Sequence, residues 1–154
     1  MFIALSRMFL LLVLGLHFCS CCWAGEAKWS IDIAQAKEQA KKDQKPLLVY
    51  FAADYSIYDR KIQTNLFESP RFQEWADRRL VLVRVDYLTS GIKLANEIKV
   101  QNEELLKKYK VEAFPCMLFL DAEGKELGRI LGYRGEDVKA WIESTEKFLP
   151  KAKE

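Results

Sequence analysis

Histidine and cysteine are nearly absent from most of this chain. Of its 154 residues one is histidine (His17) and four are cysteine, and Cys19, Cys21 and Cys22 lie with His17 near the N-terminus. Beyond residue 24 the only thiol is that of Cys116, and there is no imidazole. If the N-terminal segment is removed, an intrachain disulfide, a Cys-His or Ser-His-Asp catalytic arrangement and a His/Cys zinc site are all excluded. We therefore predict neither a metal nor a cofactor.

A strong excess of charge of one sign is also missing. The formal net charge is +2, although 30% of the residues are charged and 50% are apolar. Such a balance predicts no nucleic-acid partner, and the apolar content is too high for a disordered chain. There is no internal repeat or low-complexity segment, so the length predicts one domain with a substantial core.

The first residues have the pattern of a secretory signal. Arg7 precedes the apolar block Met8–Phe18 of 11 residues, and small side chains follow at Cys22 and Ala24. A basic start, a short apolar block and small residues before a cleavage point are typical of such signals. We predict a signal peptide over residues 1–24.

Cleavage after Ala24 leaves a domain of residues 25–154 that is exported to the periplasm or secreted, and this is the interpretation we favour. An uncleaved segment is one alternative, because the apolar block extended to Ala24 has 17 residues, the lower limit for a membrane anchor. Lipid attachment at Cys21 or Cys22 is another, because the sequence there loosely resembles a bacterial lipobox. Only these two alternatives place the chain at a membrane.

The remaining sequence alternates between helical and strand patterns. The predicted elements are a helix capped by Ser30 and ending near Asp43, a strand from Pro46 to Ala52, a helix from Ile57 to Leu66 that restarts at Ser69-Pro70, a strand Leu80–Asp86, a helical stretch from Ser90-Gly91 to Tyr109 with an interruption near Val100, a strand Cys116–Leu120, an antiparallel strand Lys125–Leu131, and a helix opened by Gly135. This order predicts an α/β fold with a mixed central sheet and helices on both faces.

The stretch after the first strand resembles a thioredoxin active site. Asp54 and Tyr55 match the Asp-Trp pair of that family, while Ser56 and Asp59 stand where its two cysteines belong. A later stretch, Tyr109–Lys125, is similar to the family's Tyr-x-Val-x-x-Phe-Pro-Thr run and its Asp-x-x-Gly-Lys hairpin.

The resemblance is to secreted bacterial thioredoxin-like domains and covers about Trp29 to Leu149. It implies a thioredoxin-like fold, in which the Phe114-Pro115 bond is cis and lies beside the active-site turn. The buried acid that many thioredoxins carry in the preceding strand aligns with Tyr50. Because that acid and both cysteines are absent, the resemblance implies a domain without dithiol chemistry.

Two other interpretations of single residues remain open. Ser56 is expected to cap the following helix, since the chain beyond residue 24 offers no histidine base to make it a hydrolytic nucleophile. Cys116 is either a small buried strand residue, which we favour, or a lone thiol able to form a mixed disulfide with a client.

The function predicted from these residues is noncatalytic binding of an unfolded or extended polypeptide, or of an envelope protein, in a chaperone-like role. The residues predicted to bind are Tyr55, Ser56, Tyr58, Phe114 and Pro115, whose aromatic members suit peptide contact. Alternatively, the aromatics only shield the end of the sheet. A thiol-disulfide oxidoreductase or isomerase acting through Cys116 is the second function, and an anchored envelope protein is the third.

Overall fold

The structure is a computed structural model that describes residues 28–88 and 94–151. The predicted signal peptide and its cysteines, and the predicted helix start at Ser90-Gly91, lie outside the described residues. No helix within the described ranges is long and apolar enough to span a membrane.

A five-stranded mixed sheet forms the centre of the fold. Its strands are β1 (Trp29–Ser30), β2 (Leu47–Ala53), β3 (Val81–Tyr87), β4 (Cys116–Leu120) and β5 (Glu126–Leu131), in the spatial order β1-β3-β2-β4-β5. The first three are parallel to one another, while β4 runs antiparallel to β2 and β5 antiparallel to β4. The predicted thioredoxin-like α/β fold is confirmed.

Helices cover both faces of this sheet. They are α1 (Ile33–Asp43), α2 (Ile57–Ile62), α3 (Pro70–Arg79), α4 (Asn96–Lys108) and α5 (Val138–Thr145); α2 continues as a π-helical turn, Gln63–Phe67, and α5 as a 3-10 turn, Glu146–Phe148. All seven residues of β2 are buried, as its continuous apolar run predicts.

Alternate residues of β2 belong to two different cores, because successive strand side chains point to opposite faces. Leu48, Tyr50 and Ala52 pack with residues of α2, α3 and α5. Leu47, Val49 and Phe51 pack with residues of α1 and α4. The carboxyl end of β2 therefore leads into α2 from a strand that is fixed on both sides.

Three details of the predicted helices are wrong: two helix starts and one interruption. Ser30 belongs to β1, a strand too short to show any periodicity, and α1 is instead capped by Asp32, whose side chain accepts hydrogen bonds from the N–H groups of Ala34 and Gln35. The last helix begins at Val138, capped by Asp137, because Gly135 has a φ of +81°, which lies outside the helical region. The third concerns α4, which continues without interruption through Val100.

Candidate functional site

The turn between β2 and α2 is held by backbone and side-chain hydrogen bonds. The N–H of Ser56 donates to the carbonyl of Ala53 at 3.0 Å, and the N–H of Asp54 donates to that of Tyr87 at 3.3 Å. As predicted, Ser56 caps α2: its Oγ accepts from the N–H of Asp59 at 3.3 Å. The Ser56 hydroxyl thus has a structural partner at the start of α2.

Aromatic side chains gather around this turn. Tyr55 is 61% exposed, Tyr58 48% and Tyr87 41%, while Phe114 is half-buried. The rings of Tyr55 and Phe114 meet edge to face at 6.4 Å between centroids, and those of Tyr87 and Phe114 stack at 5.5 Å. We call Tyr55, Tyr58, Tyr87 and Phe114 the aromatic surface.

Beside the aromatic surface is an open depression of about 290 Å³. It is lined by Tyr55, Ser56, Ile57, Tyr58, Glu112, Ala113 and Phe114. Four of the five predicted binding residues therefore line one depression. Pro115, the fifth, is buried, and its carbonyl accepts a hydrogen bond from the N–H of Gly132 at 2.8 Å. The Phe114-Pro115 peptide bond is cis, as the family resemblance implies.

Tyr87 is the residue of this surface that sequence reasoning missed. It is the last residue of β3 and pairs with Ala53 at the end of β2. The carboxyl ends of parallel strands meet at one edge of a sheet. The position of Tyr87 at the end of the second predicted strand is therefore the sequence signal that would have placed it near the turn after the first.

Asp59, in the first turn of α2, is buried and faces β2. It is 9% exposed, and its Oδ1 accepts a hydrogen bond from the hydroxyl of Tyr50, while its Oδ2 has no hydrogen-bond partner among the described residues. Burial and then the Asp59 contact raise the pKa of the Tyr50 hydroxyl, so it stays protonated and donates. Tyr50 and Asp59 are thus a buried, hydrogen-bonded pair that joins β2 to α2.

Cys116 is fully buried on β4, opposite Phe51 of β2 and Leu131 of β5. It packs in the core beneath α1 and α4, whereas Tyr50 belongs to the core on the other face of the sheet. Burial raises the pKa of the Cys116 thiol to about 11. At neutral pH the thiolate, which is the nucleophilic form, is therefore scarce. The predicted burial of Cys116 is confirmed.

A larger depression, of about 500 Å³, lies at the opposite end of the sheet. Pro46, Asp121 and Leu149 are among its lining residues. Ser56, Asp59 and the Phe114-Pro115 bond do not line it, so the turn after β2 remains the candidate site.

Comparison with known proteins finds relatives that match most of the described residues. A family model described as a thioredoxin-like domain matches residues 33–146. The chain is 32% identical to the disulfide bond reductase DsbH of Chlamydia pneumoniae over 82% of this chain and 75% of DsbH. It is 34% identical to the thioredoxin-related protein DsbJ of the same organism over 70% of this chain, but it spans only 31% of DsbJ.

Solved structures show the same relationship. The structure of a DsbH oxidoreductase superimposes with a TM-score of 0.73 and 30% identity, covering 80% of this chain and 85% of that one. A thioredoxin from Thermus thermophilus superimposes with a TM-score of 0.62 at 18% identity, covering 80% of this chain and 87% of that one, and at that identity it shows the fold alone.

Proposed function

Because this chain belongs to the thioredoxin-like domain family, we propose that it is an exported module that binds extended polypeptide and performs no dithiol chemistry. The observation that carries the proposal is the state of the two cysteine positions. Ser56 caps α2, and Asp59 accepts a hydrogen bond from Tyr50 in the core. Both side chains have structural partners, and neither supplies a sulfur atom for exchange with a disulfide.

Exposure of the aromatic surface supports binding as the remaining role. Tyrosine rings provide large apolar contact area at little cost in conformational entropy, and their hydroxyls stay hydrated. Tyr55 and Tyr58 keep about half or more of their surface in solvent. Nearby residues are buried: Ala53 lies two residues before Tyr55, and Asp59 directly follows Tyr58. Aromatic side chains left exposed around a depression are suited to contact with a partner.

The backbone beside Phe114 supports an extended ligand. Pairing between β4 and β2 begins at Cys116, so Ala113 and Phe114 lie ahead of the sheet ladder. Ala113 is exposed and Phe114 half-buried. An extended peptide laid along this segment pairs with its backbone by strand addition while its side chains contact Tyr55 and Tyr58.

The binding experiment uses reduced, carboxymethylated α-lactalbumin as an extended polypeptide, with the native protein as the folded comparison. The full chain is expected to bind the extended form, and Tyr55→Ala and Tyr58→Ala each to weaken binding by about 5- to 10-fold, the usual loss for an aromatic anchor. Val100→Ala, an equally exposed apolar truncation on α4, is the matched control and leaves binding unchanged. Unaltered binding by both tyrosine variants, with melting temperatures unchanged, would falsify the proposed surface.

A thiol-disulfide reductase acting through Cys116 is the second candidate, favoured by the 32% identity to a protein named disulfide bond reductase. It requires that the native thiol react. Alkylation with iodoacetamide at neutral pH separates the two functions: we expect Cys116 to react only after denaturation, because it is fully buried. Rapid alkylation of the folded chain, with reporter-disulfide turnover lost in Cys116→Ser, supports the reductase instead.

A further inference from the structure

Tyr50 and Asp59 form a buried polar pair directly beneath the segment that carries Tyr55 and Tyr58. The hydroxyl of Tyr50 donates to Asp59 Oδ1, and Tyr50 is 1% exposed. The ring of Tyr50 is held by Phe67, edge-on at 4.8 Å between centroids, and by Trp29 at 5.9 Å. The guanidinium of Arg84 lies 5.7 Å from the centre of the same ring. The donor hydroxyl therefore has a fixed position on β2.

Asp59 connects the Tyr50 hydroxyl to the turn between β2 and α2. Its backbone N–H donates to Ser56 Oγ at 3.3 Å, and the N–H of Ser56 donates to the carbonyl of Ala53 at 3.0 Å. One end of the segment that carries Tyr55 and Tyr58 is thus tied to the end of β2 at Ala53. Asp59 ties the other end to the middle of the same strand.

The packing of this helical segment does not itself require a carboxylate. Ile62, Leu66 and Phe67 already bury the segment that begins with α2 against the sheet. Asp59 adds a polar carboxyl group with one oxygen lacking any hydrogen-bond partner in the described ranges, which is costly in a buried site. An apolar side chain at position 59 would avoid that cost, so the pair needs an explanation other than stability.

We propose that Tyr50 and Asp59 are positioning residues for polypeptide binding: their hydrogen bond sets the orientation of the first turn of α2 and thereby presents Tyr55 and Tyr58 to the ligand. The proposal rests on the proposed function, since it assigns a role to residues beneath that site. A hydrogen bond specifies direction as well as distance, whereas apolar contact between the same positions does not.

Two variants separate positioning from stability. Tyr50→Phe removes the donor and leaves Asp59 buried without a partner, so it is expected to lower stability and weaken binding of carboxymethylated α-lactalbumin about 5-fold, a usual coupling magnitude. Tyr50→Phe/Asp59→Leu replaces both partners with apolar groups and is expected to regain stability, because no buried polar group is then unpaired. Binding is expected to stay about 5-fold weaker in this double variant. Wild-type binding by the double variant overturns the proposal.

Tyr109→Phe is the matched control. The Tyr109 hydroxyl donates to the carbonyl of Gly124 at 2.8 Å, also buried, but at the hairpin between β4 and β5. Its loss is expected to lower stability and leave binding unchanged; a loss of binding equal to that of Tyr50→Phe means that destabilisation alone weakens binding, and it overturns the proposal.

Hydrogen exchange keeps this test separate from that of the proposed function. If the wild-type chain does not bind the probe, the proposed function fails. Exchange of the amides of residues 54–59 then shows whether the Tyr50–Asp59 hydrogen bond holds the turn in place. We expect these amides to exchange at least about 5-fold faster in both pair variants than in Tyr109→Phe, because the Tyr50–Asp59 hydrogen bond no longer holds the turn and only its backbone ties to Ala53 and Tyr87 remain. Equal exchange in all three variants overturns the positioning role whatever the probe does.

Discussion

At the scale of single residues, burial governs the chemistry of Cys116. The thiol lies on the β4 strand with no exposed surface, and burial raises its pKa from 9.0 to about 11. Arg129 acts in the opposite direction as the second contribution, without reversing the shift. A thiol in this state packs as a small apolar side chain.

The raised pKa makes stability depend on pH in a definite window. The unfolded thiol ionises first, so the contribution of Cys116 is fully present below about pH 9 and is lost as the pH rises to about 11. We expect the unfolding free energy of the wild-type chain to fall by up to about 2–3 kcal/mol more than that of Cys116→Ala over this window. Denaturant titrations of both proteins at about pH 8 and pH 11 measure the difference, and the tyrosines common to both cancel. Identical falls would show that the thiol is not the buried group described.

At the scale of elements, a buried hydrogen bond joins α2 to β2. Helix α2 has six residues, with Ser56 as its cap and Asp59 in its first turn. Asp59 accepts the hydrogen bond from Tyr50 on β2. A substitution at position 59 therefore also changes the environment of Tyr50.

The hydrogen bond between Tyr50 and Asp59 predicts the result of introducing cysteines at positions 56 and 59. Ser56→Cys/Asp59→Cys leaves the Tyr50 hydroxyl buried without its acceptor, and the reduced form is expected to lose about 1–3 kcal/mol of unfolding free energy beyond the loss of the Ser56 cap. Adding Tyr50→Phe is expected to recover most of that loss, because the stranded hydroxyl is then gone. Urea unfolding of the double and triple variants in excess reductant compares them, and a triple variant no more stable than the double would argue against the coupling.

Close packing at the other edge of the sheet gives a second prediction for an element. A Cβ atom at Gly128 in β5 would lie 2.1 Å from Cδ1 of Phe148, in the 3-10 turn after α5. Gly128→Ala is expected to displace that turn and cost about 1–3 kcal/mol, the usual range for overpacking. Thermal unfolding measures the cost, and Gly128→Ala/Phe148→Leu is expected to recover part of it. Full stability of the single variant would mean that the ring moves freely.

At the scale of the whole molecule, two cores on opposite faces of one sheet separate the features of the site. Tyr50 belongs to the core beneath α2, α3 and α5, and Cys116 to the core beneath α1 and α4. The aromatic surface lies at the carboxyl ends of β2 and β3, where Tyr87 accepts a backbone hydrogen bond from Asp54. The proposed binding surface and the Cys116 thiol thus lie in different parts of the molecule.

Processing of the N-terminus is a prediction about the whole chain. If residues 1–24 are a cleaved signal, the protein recovered from a bacterial host begins at Gly25 and fractionates with exported soluble proteins. Intact-mass spectrometry and cell fractionation test this directly. A mass that retains residues 1–24, or one increased by a lipid on Cys21 or Cys22, contradicts cleavage after Ala24.

Several features could be predicted from the sequence because they depend on the local chain alone. The continuous apolar run of β2 indicates burial on both faces, and Ser69-Pro70 indicates a helix start. That residues 25–154 contain one cysteine, Cys116, and no histidine is also read directly from the sequence. Patterns of this kind report how one element meets solvent or begins and ends.

Tertiary structure alone decided which side chains meet. Tyr50 reaches Asp59 because the π-helical segment after α2 packs on the face of β2 that carries Tyr50, and Tyr87 reaches Phe114 because β3 ends beside β2. Cys116 is buried because the strand register turns it into the core beneath α1 and α4. Strand register and helix packing arise from contacts between distant segments, so the periodicity of a single element carries no information about them. The sequence therefore determined that residues 25–154 carry a single thiol, and only the fold decided that Tyr50 meets Asp59 and that Cys116 is buried.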